Sequence, residues 1–305
     1  MLEGRIPYLR ILNQAAEATK LFCASRPEPQ IMDQAGTIVV TGASSGIGKA
    51  TARLFANNGW NVVAAMRRPL AEKDLVETDQ LKLVALDVQD VVSVQAAVAT
   101  AISTFGKIDV WVNNAGYGTL GPLEAASREQ VQRQYDVNVF GLIDCIKAIA
   151  PHFRANRGGA LINVSSTGGL MAFPAYALYN STKFAVEGLS EGLWYELGRL
   201  GIKVKIVEPG LTKTDFASRS MDVLDHSAQP DYAPMMEAIK TTRERNARRA
   251  STPEAVADVI FQAANDPSDR LRYLVGADAK QLWRLRRWLG DQTQIRIVRR
   301  LFKAS

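Results

Sequence analysis

The chain has 305 residues, of which 47% are hydrophobic, and its formal net charge at pH 7 is +6. This apolar content can bury one large core, so we expect a single enlarged globular domain. Apolar runs do not reach the roughly 18 residues that a membrane-spanning helix requires, so we expect no such helix. The two cysteines, Cys23 and Cys145, suggest neither a disulfide framework nor a metal site, and His152 and His226 show no metal-ligand spacing. We therefore expect a cytoplasmic protein without a metal ion.

The positive charge is concentrated at the C-terminal end. Residues 280–305 contain eight basic residues and one acidic residue, so the rest of the chain is nearly neutral and nucleic acid is not expected as a partner. We divide the chain into an N-terminal extension (1–35), a main domain (36–279) and a basic tail (280–305). Residues 6–22 of the extension are consistent with a short helix, which Pro27 and Pro29 would end.

Apolar, β-branched segments alternate with helical segments along the main domain. The helical segments include residues 128–149 and 179–200, and residues 254–260 resume a helix after a polar, irregular insert at 214–252. This alternation predicts right-handed crossovers and an α/β fold, a doubly wound parallel sheet of about seven strands in one domain. The predicted strands are residues 36–40, 61–66, 81–86, 108–112, 159–164, 202–207 and 272–275.

A glycine-rich turn follows the first predicted strand. Residues 41–48 read T-G-A-S-S-G-I-G and lead into a segment of helical composition. Between a strand and a helix, such a turn exposes N–H groups of the helix N-terminus to phosphates. Gly42 permits the tight turn, Gly46 lets the backbone approach a pyrophosphate, and Gly48 allows the helix to pack closely on the strand. The predicted nucleotide-binding residues of the turn are Gly42, Ser44, Ser45, Gly46, Ile47 and Gly48.

Tyr179 and Lys183 are four residues apart in a predicted helix, and Ser166 lies thirteen residues upstream of Tyr179. The spacing of four places both side chains on one helix face. A phenol is a poor acid or base at neutral pH, but a neighbouring ammonium favours the phenolate and lowers the phenol pKa. Tyr179 could then transfer a proton near neutrality, as carbonyl reduction or alcohol oxidation requires.

The glycine turn has the spacing G-x-x-x-G-x-G, and it is followed in order by Asn113–Asn114–Ala115–Gly116, Asn138, Ser166, Tyr179, Lys183 and Pro209–Gly210. These motifs closely resemble the short-chain dehydrogenase/reductase family, and residues 168–174 resemble the corresponding stretch of its hydroxysteroid and retinol dehydrogenases. The resemblance extends from about residue 37 to about residue 279. It implies a Rossmann-type domain that binds NAD(P)(H) and transfers a hydride between the cofactor and an alcohol or carbonyl carbon.

The resemblance also implies roles for individual residues. Tyr179 would transfer the proton, Lys183 would lower the Tyr179 pKa and contact the nicotinamide ribose, and Ser166 would orient the substrate oxygen. Asn138 would hold a water that links Lys183 to solvent, although a buried Asn bonded to backbone is an equal interpretation of the residue itself. A non-catalytic NADP(H)-binding sensor on the same fold is the alternative function, but it would need only the glycine turn.

Further cofactor contacts are implied at the ends of the later strands. Asp87 and Val88 would contact the adenine. Asn114, Ala115 and Gly116 would contact the adenosine side and brace the central sheet. Pro209, Gly210, Thr212 and Thr214 would hold the nicotinamide carboxamide, Thr214 through its side chain and Thr212 through its backbone.

The end of the second strand bears on the choice between NADP(H) and NAD(H). Met66 stands where NAD-dependent relatives carry an acid that binds the adenosine ribose, and Arg67 and Arg68 follow. A guanidinium pairs well with a 2′-phosphate, so NADP(H) is favoured, with Arg67 as the better ligand. Lys49 is a second candidate for this phosphate, and two solvated surface arginines are the alternative interpretation.

Apolar residues predict a hydrophobic substrate and an amphipathic tail. Leu170, Met171 and Phe173 would form an apolar wall, and the insert at 214–252 would cover the substrate. In the tail, two runs of apolar residues predict two short amphipathic helices with basic flanks, which could pack on the domain, on a partner subunit or on an anionic membrane surface. A homodimer or homotetramer is expected. The apolar tail residues are Leu282, Leu285, Trp288, Leu289, Ile295, Val298, Leu301 and Phe302.

Overall fold

The computed structural model describes residues 36–213, 220–248, 250–288 and 291–302. The predicted extension at 1–35, with its helix at 6–22, lies outside the described residues, and so does Thr214.

Seven parallel strands form the central sheet. In chain order they are β1 (Thr37–Thr41), β2 (Asn61–Met66), β3 (Leu81–Ala85), β4 (Val110–Asn113), β6 (Ala160–Val164), β7 (Lys203–Pro209) and β9 (Arg272–Val275). Their order across the sheet is β3-β2-β1-β4-β6-β7-β9, and Val40 of β1 lies between Ala64 of β2 and Val112 of β4. The chain thus runs outward from β1 in one direction and then outward from β4 in the other. This confirms the predicted doubly wound sheet and creates a crevice where the direction reverses.

The helices of the main domain cover both faces of this sheet. They are α1 (Gly46–Asn57), α2 (Val91–Phe105), α3 (Arg128–Tyr135), α4 (Gly141–Ala155), α5 (Thr167–Leu170), α6 (Ala177–Gly198), α7 (Ala233–Ala247) and α8 (Pro253–Asn265). Phe55 of α1 and Ile260 of α8 belong to the core on one face, and Ile149 of α4 and Val186 of α6 belong to the core on the other. Both faces of the strands are therefore buried, which is why each strand is a nearly continuous apolar run.

Local side-chain bonds fix where several helices begin. Asp90 accepts a hydrogen bond from Val92 N at the start of α2, and Thr252 accepts one from Ala255 N at the start of α8. Ser127 and Gln130 form a reciprocal capping box at α3. The predicted helix at 128–149 is interrupted after α3 by a π-helical turn, Asp136–Phe140, which positions Asn138. Short π-helical insertions of this kind are common at functional sites.

The segment predicted to be irregular, 214–252, contains regular structure where it is described. A strand, β8 (Met221–Val223), pairs in parallel with β5 (Gly118–Leu120) in a second, two-stranded sheet. Helix α7 follows, and its fully buried Ile239 packs with Leu120 and Ala175. Pro234 lies in the first turn of α7, where its missing N–H removes no helical hydrogen bond.

The tail contains the two predicted amphipathic helices, α9 (Ala277–Trp288) and α10 (Asp291–Phe302). Helix α9 packs on the domain, because the Arg272 guanidinium lies 5.4 Å from the Trp283 ring centroid and the Arg286 guanidinium lies 5.4 Å from that of Phe184. Helix α10 contacts α7. Across the described residues, every helix is too short or too polar to span a bilayer.

Candidate active site

The glycine turn joins β1 to α1 at the crevice. Gly42 and Gly46 have positive φ values of 69° and 52°, which other residues rarely adopt, so both are needed for the turn itself. A Cβ on Gly48 would overlap the carbonyl oxygen of Gly42, so this glycine lets the helix approach the turn. Ser45 caps α1 without a side-chain hydrogen bond, and the first turn of the helix contains no acidic residue. The N-terminus of α1 is thus suited to bind an anion.

A cleft of about 530 Å³ extends from this turn along the carboxyl ends of the strands. The predicted residues that line it are Gly42, Ser44, Ser45, Gly46, Ile47, Arg67, Asp87, Val88, Asn114, Ala115, Gly116, Ser166, Tyr179, Lys183, Pro209, Gly210 and Thr212. Gly48, Arg68 and Asn138 do not line it. The structure therefore brings together residues from both halves of the fold, as a site for an extended nucleotide requires.

Asn114 holds the glycine turn against β4. Its Nδ2 donates to the carbonyl oxygen of Thr41 at 2.9 Å, and the Thr41 hydroxyl accepts from the N–H groups of Asn114 and Ala115. A deeper chain of amides braces the sheet, because Asn113 Nδ2 donates to Asn163 Oδ1 at 2.9 Å. The cleft floor is therefore fixed by side chains at the ends of β1, β4 and β6.

Asn138 ties the loop after β4 to the helix that carries Tyr179. Its Oδ1 accepts from Tyr117 N at 3.0 Å, and its Nδ2 donates to Tyr117 O at 2.8 Å and to Thr182 Oγ1 at 3.1 Å. The side chain is buried, and these bonds use both of its amide donors. The Asn138 side chain is thus bonded to backbone, which is one of the two interpretations that the sequence left open.

Tyr179 and Lys183 lie on one face of α6, beside Ser166. The Lys183 ammonium lies 5.9 Å from the centroid of the Tyr179 ring and donates to the carbonyl oxygen of Val164 at 2.9 Å. Ser166 caps α5 by accepting from Gly168 N at 3.0 Å, and its hydroxyl hydrogen-bonds the Tyr179 hydroxyl. A hydroxyl pair with a buried ammonium behind it can bind a substrate oxygen and supply it with a proton.

Burial is the largest influence on the acidity of Tyr179. Burial raises the pKa of Tyr179 to about 12, and the hydrogen bond from Ser166 opposes this only in part. Loss of hydration therefore dominates the pKa of Tyr179, and the lowering of that pKa by Lys183 stays a prediction. Burial also lowers the pKa of Lys183 to about 8, and nearby Glu187 opposes that change. At neutral pH, Tyr179 retains its proton and Lys183 is mostly charged.

The two arginines after β2 differ in position. Arg67 lines the cleft next to Met66, whereas Arg68 precedes a short 3₁₀ turn, Pro69–Ala71, outside it. Both side chains are exposed. Lys49 is already paired, with its Nζ 2.8 Å from Glu72 and 2.7 Å from Asp74. Of the three basic candidates, Arg67 is thus the one that lines the cleft without a described ion pair.

A second cavity of about 740 Å³ adjoins the cleft at Thr212. Leu120, Met236 and Ile239 supply apolar walls, and Arg243 of α7 also lines it. The predicted wall residues Leu170 and Met171 line neither cavity and are buried in the fold. The apolar surface that adjoins the cleft therefore comes from β5 and from α7, which belongs to the insert predicted to cover the substrate.

The sequence also did not reveal one polar edge of the cleft. Arg133 of α3 forms an ion pair with Asp222 of β8, and its Nε donates to the Tyr117 hydroxyl at 3.3 Å. All three residues line the cleft. The pairing of β5 with β8 would have indicated these residues, but strands of three residues are too short to be predicted from the sequence.

Comparisons with known proteins agree with this geometry. Residues 36–223 match the sequence profile of the family described as short chain dehydrogenase. An uncharacterised oxidoreductase of Schizosaccharomyces pombe is 42% identical over 233 residues, which cover 75% of this chain and 95% of that protein. A 3-ketodihydrosphingosine reductase of Bacteroides thetaiotaomicron is 35% identical over 266 residues, which cover 87% of this chain and 94% of that protein.

Solved structures with bound cofactors are also similar. The structure of ElxO with NADP bound has a TM-score of 0.66 and 26% identity, covering 81% of this chain and 99% of that one. The structure of a short chain dehydrogenase/reductase from Burkholderia phymatum in complex with NAD has a TM-score of 0.70 and 25% identity, covering 86% of this chain and 95% of that one.

Proposed function

The chain belongs to the short-chain dehydrogenase family and is an NAD(P)-dependent oxidoreductase, and from this premise we propose that it reduces the carbonyl group of a hydrophobic substrate with NADPH. The observation that carries this proposal is the pairing of Ser166 with a protonated, half-buried Tyr179 at the cleft, with the Lys183 ammonium behind them. Reduction of a carbonyl needs a proton donor, and Tyr179 holds its proton throughout the neutral range.

The residues of the cleft fit a dinucleotide. The N-terminus of α1 and the positive φ of Gly42 and Gly46 suit the pyrophosphate, since the Ser45 side chain makes no capping hydrogen bond to the helix N–H groups. Asp87 and Val88 would bind the adenine end, and Pro209, Gly210 and Thr212 would bind the nicotinamide end. When bound there, the cofactor supplies the hydride that the substrate carbon receives.

Each residue near Tyr179 has a distinct proposed task. Ser166 donates to the substrate oxygen and so stabilises the charge that develops on it. Tyr179 gives that oxygen its proton. Lys183 provides the positive charge that makes loss of the Tyr179 proton less costly. Asn138 fixes the neighbouring loop and holds the water that links Lys183 to solvent.

The preference for NADPH rests on Arg67. The solved relatives include structures with NADP and with NAD, so they do not decide between the two cofactors. Arg67 lies at the end of β2, where a 2′-phosphate on the adenosine ribose would be within reach of a guanidinium. Met66 leaves this position without an acid that would repel the phosphate.

The apolar cavity supports a hydrophobic substrate. Leu120, Met236 and Ile239 line a space next to the cleft that is large enough for an extended apolar group. The relative from Bacteroides thetaiotaomicron is named as a reductase of a 3-keto compound, which agrees with carbonyl reduction. We propose a ketone or aldehyde with an apolar body as the substrate.

A direct test follows NADPH oxidation with a series of ketones and aldehydes of increasing apolar length. We expect turnover that requires Tyr179 and a kcat/KM that rises with apolar length. The matched control is Tyr176→Phe, which removes a neighbouring phenol hydroxyl. If NADPH binds to the protein but none of the carbonyl compounds is reduced, the proposed reaction is refuted, and the nucleotide-sensor alternative is favoured.

A further inference from the structure

A group of buried charges includes Glu187, which lies one turn after Lys183 on α6. Arg272 of β9 forms ion pairs with Glu187 of α6, with Glu208 of β7 and with Glu191 at the exposed side. Glu187 and Glu208 are buried, with 6% and 0% of their surface exposed. Carboxylates are rarely buried to this extent unless they are paired, because dehydration of the charge is costly. We name Glu187, Glu208 and Arg272 the Arg272 cluster.

Gly169 shows how closely the Arg272 cluster approaches the active site. A Cβ at Gly169 would lie 2.8 Å from Ser165 Oγ, 2.9 Å from Glu187 Cγ and 2.9 Å from the carbonyl oxygen of Lys183. The Glu187 side chain therefore packs against the same glycine as the residue preceding Ser166 and the backbone of Lys183. The absence of a side chain at position 169 is what allows this approach.

Glu187 is also placed to act on the Lys183 side chain. The two residues are four apart on α6, so their side chains share one helix face. Lys183 is only 8% exposed, and Val164 O is its described hydrogen-bond acceptor. A buried ammonium with one neutral acceptor needs a counter-charge, and Glu187 supplies the nearest one along the helix.

The titratable and charged groups near Lys183 and Glu187 come from three elements. Helix α6 contributes Tyr179 and Glu187, β7 contributes Glu208, and β9 contributes Arg272. Burial raises the pKa of Glu208 far above its usual range, and neighbouring Glu187 adds to this effect. Arg272 pairs with both carboxyl groups and so fixes the position of Glu187.

We infer that Glu187 is a positioning residue for the reaction: its carboxylate, fixed by Arg272, keeps the Lys183 ammonium charged and in place beside Tyr179. The part of this inference that concerns catalysis rests on the proposed carbonyl reduction. Arg272 is in turn covered by Trp283, so helix α9 of the tail completes the enclosure of the Arg272 cluster.

The test compares Glu187→Gln with Glu191→Gln, a matched control that removes the exposed carboxylate bonded to the same arginine. The titration of Lys183 is followed by NMR on isotope-labelled lysine side chains, and Lys183→Arg assigns the signal. Half of the Lys183 side chains carry the proton at about pH 8 in the wild type. We expect Glu187→Gln to lower that midpoint by about one pH unit or more, and Glu191→Gln to leave it nearly unchanged.

The same variants are then assayed for carbonyl reduction across the pH range. With the midpoint lowered by about one pH unit, about one in eleven Lys183 side chains remains charged at pH 8, so kcat/KM should fall about fivefold there and hardly change at pH 6. Glu187→Asp, which retains the charge, should recover much of the loss. A merely structural role would reduce activity equally at both pH values.

The outcomes separate this inference from the proposed function. An unmoved Lys183 midpoint in folded Glu187→Gln overturns the inference, whatever the activity. A loss of activity that is equal at all pH values overturns it as well. A lowered midpoint in a protein whose wild type reduces no carbonyl compound refutes the proposed reaction and leaves the effect of Glu187 on Lys183 established. If Glu187→Gln does not fold, Glu187→Met, which places a neutral side chain of similar size there, is titrated instead, and an unmoved midpoint in that variant overturns the inference.

Discussion

Replacing Arg67 by Ala tests the proposed recognition of the 2′-phosphate. Arg67 lines the cleft at the end of β2, and Arg68, with the same chemistry, does not. The substitution removes the guanidinium and leaves the glycine turn, Ser166 and Tyr179 untouched. The expected result is weaker binding of NADPH with no change for NADH, because only NADPH carries the phosphate.

The size of the effect follows from the exposure of Arg67. A hydrogen bond between charged groups contributes about 1.5–3 kcal/mol when it is shielded from water, whereas an exposed ion pair contributes about 0.2–1 kcal/mol. The Arg67 side chain is exposed but lies at the cleft wall, so an intermediate value of about 1–2 kcal/mol is appropriate. Because about 1.4 kcal/mol corresponds to a tenfold change, NADPH should bind about 5–30 times more weakly.

The assay measures the Kd of NADPH and of NADH for wild type, Arg67→Ala and Arg68→Ala at low and high salt. We expect the loss only for Arg67→Ala with NADPH, and a smaller difference at high salt because salt screens exposed charges. Equal losses for both cofactors, or equal effects of the two arginine substitutions, would refute the assignment of the phosphate to Arg67. Met66→Asp is a less clean variant, since Met66 is buried and its replacement would also strain the core.

Three further outcomes are expected. Tyr179→Phe should lower kcat by about 10²–10⁴ with the Kd of NADPH nearly unchanged, as measured by steady-state kinetics and binding titration; retention of kcat within about tenfold would contradict the proton-donor role. In the wild type, kcat/KM for reduction should be constant below pH 8 and fall as the pH rises through about 8, because Lys183 loses its charge there while Tyr179 stays protonated to about pH 12; a flat profile to pH 10 would contradict this assignment. Truncation after Ala279 should retain NADPH binding but lower the Tm, because Trp283 no longer covers Arg272. Vesicle binding and oligomeric state of the truncated and full-length proteins show whether the exposed Trp288 normally contacts lipid or a partner subunit.

The strands of the sheet could be predicted from sequence because burial on both faces leaves a simple pattern. The predicted strand at 61–66 coincides with β2, and every residue from Val62 to Met66 is buried. Glycine positions were predictable for a related reason, since a positive φ at Gly42 and Gly46 excludes most other residues. The predicted nucleotide cleft follows from these two signals, because the end of a buried strand and a tight turn are both local features.

The apolar cavity proposed for the substrate could not be predicted in the same way. Helix α7 has a polar composition, and only a few of its residues, among them Ile239, are buried against the domain. Strands β5 and β8 have three residues each and are separated by about a hundred residues of chain. Elements that are stabilised by tertiary contacts leave little periodicity in the sequence, so the apolar cavity became visible only in the structure.

Strand β7 shows most clearly why the environment of Lys183 is not a local property. Lys205 and Glu208 suggest a strand that is exposed to water, yet β7 lies between β6 and β9 and both residues are buried. Lys205 Nζ donates to the carbonyl oxygens of Asp266 and Ser268 and to the Tyr273 hydroxyl, and Glu208 pairs with Arg272. All of these partners come from the segment that leads into and forms β9, about sixty residues later in the chain. Polar side chains buried in a central strand are tolerated only when another segment supplies their hydrogen-bond and charge partners. Strand β9 therefore completes the sheet. Through Arg272 and Glu187 it also fixes the Lys183 ammonium next to Tyr179, the proposed proton donor.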